Sequence, residues 1–269
     1  MELFIRRHEN CTSSTGSRTN ENGPPDNQVI DVDIPFDVRT LHVRLEGSSD
    51  QESLVLVFLN ELLTDMHIWD YAISLLKQEL PKVRFLRYDT RCTSRDSTGS
   101  AKEINLDVLS ADVANVMSVL GIPRARSVIG VGLGGATALA FASRYPDRLD
   151  RFVACDFNIA SNKKLVSEWD SRLHYARTYG MSGVLANKVV AIWFTADSRG
   201  SPEWERVREM VGSWSLDDFE ATAKAQYSYD ETEKMRTIQI PGLFVVGSED
   251  GILPEVMSAF PEKKTQMHL

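Results

Sequence analysis

Short apolar runs alternate with helically spaced segments through the middle of the chain. The runs at residues 54–59, 83–91 and 151–156 predict strands, and the first has no polar residue, as expected for a strand buried on both faces. Apolar residues recur at helical spacing over residues 107–120, and Gly121 follows as a helix stop signal. Strands that alternate with helices predict a mostly parallel sheet covered on both faces.

Two segments upstream of this alternation have different patterns. Residues 29–35 and 41–45 alternate apolar and polar positions, which predicts a β-hairpin. The stretch before them is rich in Ser, Thr, Asn, Gly and Pro and has few apolar residues. Such a composition cannot bury a core, so we expect residues 1–27 to form a flexible arm.

Composition and charge narrow the function classes. The chain has 269 residues, of which 42% are hydrophobic and 25% charged, which suits one large α/β domain. The net charge of -8 argues against a nucleic acid or an anionic membrane surface as a partner. The sequence shows no apolar run long enough for a membrane span and no secretory signal pattern.

The three cysteines, Cys11, Cys92 and Cys155, are odd in number and far apart in sequence. This usage predicts a reducing compartment, and we expect a cytoplasmic protein without a disulfide framework. The sequence holds no C-x-x-C or H-E-x-x-H motif, so no metal and no cofactor is expected.

A cluster of glycines follows the apolar run 127–131 and precedes a small-residue segment, which predicts a strand, a tight turn and a helix. Gly130, Gly132 and Gly134 occupy the first, third and fifth places of a G-x-S-x-G nucleophile elbow. Gly132 stands at the nucleophile place, and because glycine has no side chain, it cannot form a covalent intermediate.

The same glycines permit two other interpretations. Gly130, Gly132 and Gly135 match the dinucleotide fingerprint G-x-G-x-x-G, and Asp156 ends the next apolar run, where a ribose-binding acid would stand. Alternatively, the glycines only relieve strain in a crowded turn, since glycine adopts positive φ freely.

Several separate segments, in this order along the chain, resemble the α/β-hydrolase superfamily and in particular its 3-oxoadipate enol-lactonase-like members. These segments are residues 60–70, 87–91, 130–135, 145–149, 169–172 and 241–250. The resemblance covers roughly residues 29–254, and an ordered set of motifs is far more specific than one glycine pattern. It implies an α/β-hydrolase core formed by residues 28–159 and 237–269, a helical cap over residues 160–236, and a shortened C-terminus.

The sequence departs from the family pattern at several functional positions. The resemblance implies Ser where the chain has Gly132, and it places the catalytic acid at Asp250. The oxyanion turn of the family has small residues where this chain has Glu61 and Leu63. His268 follows the acid earlier than the family base would, and we expect it to be an end residue. Ser-His-Asp acyl chemistry is therefore not expected in its usual form.

Three carboxylates, Glu61, Asp156 and Asp250, are expected at the carboxyl edge of the sheet, where such folds bind ligands. Carboxylates packed together repel, so at least one pKa should be raised. A raised acid beside an ionised one forms a general acid and base pair that needs no covalent step. The alternatives are structural: Asp250 as a turn cap, Asp156 as a strand-end residue and Glu61 as a solvated loop residue.

The expected partner is an apolar small molecule bound between the elbow and the cap. The candidate substrate-binding residues are Gly132, Leu133, Leu62, Trp169, Tyr175 and Trp193. The leading hypothesis is ring opening, cyclisation, lyase or isomerisation chemistry on a polyketide-type secondary metabolite. A non-catalytic ligand-binding protein, a lactonase or esterase with a rearranged site, and a dinucleotide-binding oxidoreductase remain alternatives, and a homodimer is left open.

Overall fold

The computed structural model describes residues 5–7, 28–36, 39–91 and 104–260. Its strands lie in a single sheet with the order β1-β2-β3-β5-β4-β6-β7-β8. The strands are β1 (Ile5–Arg7), β2 (Gln28–Phe36), β3 (Arg39–Gly47), β4 (Val55–Leu59), β5 (Arg84–Tyr88), β6 (Ser127–Val131), β7 (Phe152–Cys155) and β8 (Gly242–Val245).

The sheet is parallel in its larger part. Strands β5, β4, β6, β7 and β8 pair in parallel, and β1, β2 and β3 extend the sheet from β5 in antiparallel fashion. The predicted hairpin is confirmed, with Val32 opposite Val43. Ile5–Arg7 pairs with β2, so this part of the arm predicted over 1–27 is a strand and not a flexible segment. Most of that arm lies outside the described residues.

The helices of the described chain are α1 (Asp70–Glu79), α2 (Leu106–Val119), α3 (Leu133–Arg144), α4 (Lys163–Tyr179), α5 (Ala186–Trp193), α6 (Pro202–Ser213), α7 (Leu216–Ala223), α8 (Thr232–Thr237) and α9 (Leu253–Ser258). The helix predicted over 107–120 is confirmed as α2. The Asn105 side chain caps its N-terminus by accepting from the Val108 N–H, and Gly121 follows its end at a φ of 66°. Within the described chain, no helix has the length and apolar character that crossing a bilayer requires.

Helix α3 holds the predicted elbow against the sheet. Every residue from Leu133 to Ala142 is buried, and several of them are alanine or glycine. Small side chains allow α3 to lie close to the backbone of its neighbours, and it contacts β6, β7 and α2. The start of α3 is therefore fixed by packing on several sides.

Five helices, α4 to α8, lie between β7 and β8 and correspond to the expected cap. The segment leaves and rejoins the sheet domain at a bridge between Ala160 and Asp230. On either side of this bridge, Ser161 N–H donates to the Tyr229 carbonyl over 2.8 Å and Glu231 N–H donates to the Ile159 carbonyl over 3.0 Å. The division of the chain into a core and a cap over 160–236 stays a prediction, which this joint supports.

Candidate active site

The turn between β6 and α3 has the backbone conformation of an elbow. Gly132 is the one residue between the last residue of β6 and the first of α3, and it has a φ of 56° and a ψ of -118°. Its N–H donates to the Cys155 carbonyl over 2.9 Å, which ties the turn to the end of β7. The predicted strand, turn and helix are therefore confirmed, and glycine suits the positive φ of this position.

The neighbouring glycines allow a close approach of backbones. A β-carbon at Gly134 would lie 2.7 Å from the Asn60 carbonyl oxygen, and one at Gly135 would lie 3.0 Å from the Cys155 carbonyl oxygen. The distance at Gly134 is shorter than real β-carbon contacts, and the distance at Gly135 is tighter than most of them. Relief of crowding is thus one reason for the glycine cluster, whatever chemistry the turn supports.

The Glu61 carboxylate occupies the centre of the elbow. Its Oε2 accepts a hydrogen bond of 2.6 Å from the Leu133 N–H, and the Leu62 N–H also acts electrostatically on this carboxylate. A β-carbon built on Gly132 would fall on Oε2, far inside van der Waals contact, and would lie 3.1 Å from Oε1. Glu61 therefore fills the space that a nucleophilic side chain at position 132 would need. The side chains of Leu62 and Leu133 are buried, and their substrate-binding role stays a prediction.

The acidity of Glu61 is strongly perturbed. Burial raises its pKa to about 8, and the charge of Asp250 adds to the rise. The two backbone N–H groups and the positive charge of Arg172 act in the opposite direction. Glu61 is consequently a carboxyl group that carries a proton over much of the neutral pH range.

The turn that carries Glu61 is held in place by its neighbours. The Thr64 hydroxyl donates to the Glu61 carbonyl over 2.8 Å, and Leu63 is fully buried with a φ of 69°. The Asn60 side chain donates to the Tyr88 carbonyl over 2.9 Å and accepts from the Trp69 indole N–H over 3.1 Å. These contacts hold the backbone of the turn, and so they fix the position of the Glu61 side chain, although none of them is made to its carboxylate.

Asp156 and Asp250 form a second acidic group at the same edge of the sheet. Asp156 follows β7 with a φ of 43°, and its Oδ1 accepts a 2.7 Å hydrogen bond from the Gly247 N–H. Burial raises the pKa of Asp250, and both the charge of Asp156 and a hydrogen bond to it raise that pKa further. The structure therefore brings the three predicted carboxylates together at the ends of β4, β7 and β8, and their catalytic roles remain predictions.

The cap residues predicted to bind substrate fall into two groups. Trp169 is 5% exposed and lies below the Arg172 guanidinium, which is 4.6 Å from the ring centroid and acts electrostatically on Glu61. Tyr175 stacks on Tyr179 at 6.1 Å and packs under Lys188. Trp193 is partly buried against the main core at the end of α5. The contacts of Tyr175 and Trp193 do not involve the three carboxylates, so they give no support to a substrate-binding role.

Two residues near Glu61 were not among the sequence candidates. Arg172 lies within the segment that resembles the family cap, but its charge alone did not single it out. Tyr229 lies on the return from the cap, where burial and the charge of Glu61 raise its pKa and its hydroxyl donates to the Asn158 carbonyl over 2.9 Å. No sequence motif pointed to Tyr229, because only folding brings residues 61 and 229 together.

The described histidines have partners away from this site. His42 Nδ1 is 2.9 Å from Asp33, His67 Nδ1 is 3.2 Å from Asp70, and the His174 ring packs beside Tyr175. His268 lies outside the described residues, as do residues 92–94 of the loop after Arg91. Cys155 is close to the elbow, but burial raises its pKa to about 11, so its sulfur is a thiol and not a nucleophilic thiolate at neutral pH.

The arrangement favours the hydrolase interpretation of the glycines over the dinucleotide one. The Leu133 N–H, which would face a pyrophosphate, is bonded to a carboxylate, and Asp156 is bonded to the Gly247 N–H. No cluster of three or more potential metal-binding His, Cys, Asp or Glu residues occurs in the described part of the chain.

The sheet order, the elbow and an acid after β8 define a protein of the α/β-hydrolase class. The family model described as alpha/beta hydrolase fold matches residues 55–268, and the chain belongs to this family.

Known relatives agree with this assignment. The chain is 24% identical over 230 residues to 3-oxoadipate enol-lactonase 1 of Acinetobacter baylyi, which covers 85% of the chain and 82% of the relative. It is 26% identical over 179 residues to the putative carbamate hydrolase RutD of a Caulobacter species, which covers 65% of the chain and 66% of that relative. The structure is similar to that of an enol-lactonase from Burkholderia xenovorans, with a TM-score of 0.69, 28% identity and 78% of each chain covered. The fold is also that of a hydrolase from Pseudomonas aeruginosa, with a TM-score of 0.75, 22% identity, and 92% and 91% of the two chains covered.

Proposed function

We propose that this protein is an enzyme that catalyses proton-transfer chemistry on an apolar small molecule without a covalent intermediate. The observation that carries the proposal is the position of Glu61, whose carboxyl group occupies the elbow N–H of Leu133 and the space of the side chain at position 132. The reaction classes that suit this arrangement are epoxide ring opening, cyclisation and isomerisation, with a polyketide-type metabolite as substrate.

Glu61 is suited to the role of general acid. A carboxyl group with a pKa of about 8 is protonated at neutral pH and can donate to a carbonyl or epoxide oxygen. Once the proton has left, the carboxylate is stabilised by the N–H groups of Leu133 and Leu62. In a serine hydrolase such donors stabilise the oxyanion of the substrate, and here they would stabilise the conjugate base of the acid.

The pair of Asp156 and Asp250 is suited to the role of base. Burial and the neighbouring Asp156 carboxyl group raise the pKa of Asp250, which makes the Asp250 carboxylate a stronger base than an ordinary aspartate. The pair would remove a proton from a substrate C–H or O–H while Glu61 protonates a substrate oxygen. The substrate gains one proton and loses one, so the proton count balances for an isomerisation or a cyclisation. Proton exchange with solvent then returns Glu61 and the pair to their starting protonation states.

The proposal is tested with a panel of enol lactones, cyclic ketones and aliphatic epoxides in D2O, followed by mass spectrometry for products and deuterium incorporation. We expect Glu61→Gln to lower the turnover of a converted substrate by about 100-fold or more. The wild-type rate should also fall as the pH rises past about 8, since the acid form of Glu61 is then lost. Glu233→Gln is the matched control, because the Glu233 side chain is 81% exposed and pairs with Arg236 on its own helix. An unchanged rate in Glu61→Gln would contradict the proposal.

A non-catalytic ligand-binding role is the second candidate. The same contact favours it, since Glu61 does not leave the Leu133 N–H free for a substrate oxyanion. This candidate predicts saturable binding of panel members with no product, and a binding affinity that does not change in Asp250→Asn.

A further inference from the structure

A hydrogen bond from the cap reaches the segment that carries Glu61. Arg206 lies on α6, and its guanidinium donates to the His67 carbonyl over 2.5 Å. The same carbonyl also accepts a backbone hydrogen bond at the end of the 3-10 helix Met66–Trp69. Arg206 therefore attaches a cap helix to the sheet domain at a place separate from the joint where the cap leaves and rejoins that domain.

The contacted helix is connected to Glu61 by hydrogen bonds within one short segment, residues 60–69, which we call the acid segment. The Trp69 indole N–H donates to the Asn60 side chain over 3.1 Å, and Asn60 directly precedes Glu61. The backbone N–H and the hydroxyl of Thr64 both donate to the Glu61 carbonyl, over 3.2 and 2.8 Å. Because the acid segment is bonded to itself, a contact made at its helix also holds the position of Glu61.

Glu61 is only partly covered in this arrangement. The exposure of the residue as a whole is intermediate, so water reaches part of it. Two cap residues face its carboxyl group, since Arg172 on α4 acts on it electrostatically and Tyr229 on the return from the cap is affected by its charge. Asp250 faces it from the sheet domain. The position of the cap therefore decides how much more water reaches the carboxyl group.

The direction of this effect follows from the causes that set the acidity of Glu61. Burial is the largest of them and raises the pKa to about 8, and the charge of Arg172 is a smaller cause that lowers it. Retreat of the cap would remove both. Because the effect of burial is larger, the pKa would fall towards its usual value of 4.5. At neutral pH Glu61 would then be ionised and unable to act as a general acid.

We propose that Arg206 is a positioning residue for the proton transfer assigned to Glu61, and that its hydrogen bond to the His67 carbonyl keeps the cap closed over the acid segment. The inference rests on the proposed function, which it deepens by naming the contact that limits the access of water to the acid. By linkage, the closed cap and the protonated form of Glu61 favour each other. Arg206 contacts the backbone of the acid segment, so its loss should change the acidity of Glu61 without removing the acid.

The inference is tested by carbon-13 NMR titration of the whole protein labelled at the glutamate δ-carbons, with the Glu61 signal assigned by its absence in Glu61→Gln. We expect the titration midpoint of Glu61 to fall by about one pH unit or more in Arg206→Gln, because more water then reaches the carboxyl group. Arg206→Lys should keep the midpoint closer to that of the wild type, since an ammonium group can also donate to a carbonyl. For a converted substrate, the loss of turnover at high pH should move to lower pH in the same order.

Arg208→Gln is the matched control, because Arg208 lies on the same helix and pairs with Glu205 on that helix at 2.7 Å. Its Glu61 midpoint should equal that of the wild type. An unchanged midpoint in Arg206→Gln, even with lower stability, or an equal shift in Arg208→Gln would overturn the inference. Thermal unfolding shows whether each variant folds. If Arg206→Gln does not fold, Arg206→Met carries the test, since it keeps an apolar stem for packing.

The titration separates this inference from the proposed function, since it requires no turnover. If the midpoint of Glu61 depends on Arg206 while turnover does not depend on Glu61, the proton-transfer proposal fails and the effect of Arg206 on the acid stands. If turnover depends on Glu61 and the midpoint does not depend on Arg206, the reverse holds.

Discussion

The Oε2 atom of Glu61 lies where the β-carbon of any side chain at position 132 would be. Glu61 and a side chain at position 132 therefore exclude each other in this backbone. Gly132 is required for two separate reasons, its positive φ and the space that Glu61 takes. Loss of the nucleophile and the presence of Glu61 are thus one structural feature, although the two residues are far apart in sequence.

Gly132→Ala should destabilise the protein more than Gly121→Ala does. Both glycines have positive φ, 56° and 66°, but a β-carbon at Gly121 meets no atom within 4 Å. Gly121→Ala measures backbone strain alone, about 1 kcal/mol, whereas Gly132→Ala also collides with the Glu61 carboxylate. Urea unfolding of both variants gives the two free energies.

A double-mutant cycle isolates the collision. In a Glu61→Ala background, the cost of Gly132→Ala should fall by about 1 kcal/mol or more, because the overpacking is removed. Additive effects of the two substitutions would contradict the overlap of Glu61 with position 132.

The stability of the protein should depend on pH through Glu61. Its pKa is about 8 in the folded protein against a usual value of 4.5, so the folded state binds the proton more tightly than the unfolded state does. The free energy of unfolding should therefore fall as the pH rises between about 4.5 and 8, by at most roughly 1.4 kcal/mol per pH unit. The pKa of Asp250 is also raised in the folded protein, so its titration should lower the free energy of unfolding with rising pH in the same way.

Unfolding free energies measured from pH 5 to pH 8 test this dependence. Glu61→Gln should flatten the slope, and the exposed control Glu233→Gln should leave it as it is in the wild type. A slope that is the same in Glu61→Gln and in the wild type would show that Glu61 is not the titrating group.

The wild type should form no acyl-enzyme or phosphonyl-enzyme at the elbow. Gly132 has no hydroxyl, and the Cys155 thiol is protonated at neutral pH because burial raises its pKa to about 11. Intact-mass measurement after treatment with a fluorophosphonate and with p-nitrophenyl acetate should show an unmodified protein and no burst. Gly132→Ser alone should not restore the reaction, since Glu61 occupies the place of the new side chain. A stable adduct on a described residue of the site would favour a lactonase or esterase with a rearranged site.

Removal of the Glu231 carboxylate should weaken the joint between cap and core. Glu231 is 3% exposed in its side chain and accepts from Arg144 over 2.9 Å, which links the return from the cap to the end of α3. Glu231→Ala leaves a partly buried cation short of a partner and should cost about 3 kcal/mol. Glu233→Ala removes an exposed pair two residues away and should cost less than about 0.5 kcal/mol. Equal costs in thermal or urea unfolding would contradict this role of Glu231.

Much of the fold followed from local pattern. The hairpin of β2 and β3, the buried strand β4 and helix α2 were all predicted, because periodicity and stop signals act over neighbouring residues. The strand at Ile5–Arg7 was not predicted, since three residues carry too little periodicity to stand out, and their pairing with β2 is a tertiary contact.

For the candidate site, the sequence predicted which edge of the sheet carries the three carboxylates, and their catalytic roles stay predictions. Glu61, Asp156 and Asp250 each follow a predicted strand. Because parallel strands have their carboxyl ends at the same edge of a sheet, the sequence predicted that the three residues lie at that edge. The expected roles of Tyr175 and Trp193 rested on residue type alone, and aromatic residues in a cap pack on each other as readily as on a ligand.

By itself, the sequence determined the class of fold, the position of the elbow and the absence of a nucleophilic side chain at Gly132, because each of these follows from residue identity and local order. Only the tertiary structure decided that the Glu61 carboxylate enters the elbow and that Arg172 and Tyr229 lie near it. The physical reason is that burial, hydrogen bonding and pKa depend on groups from distant parts of the chain, which no local pattern places in space.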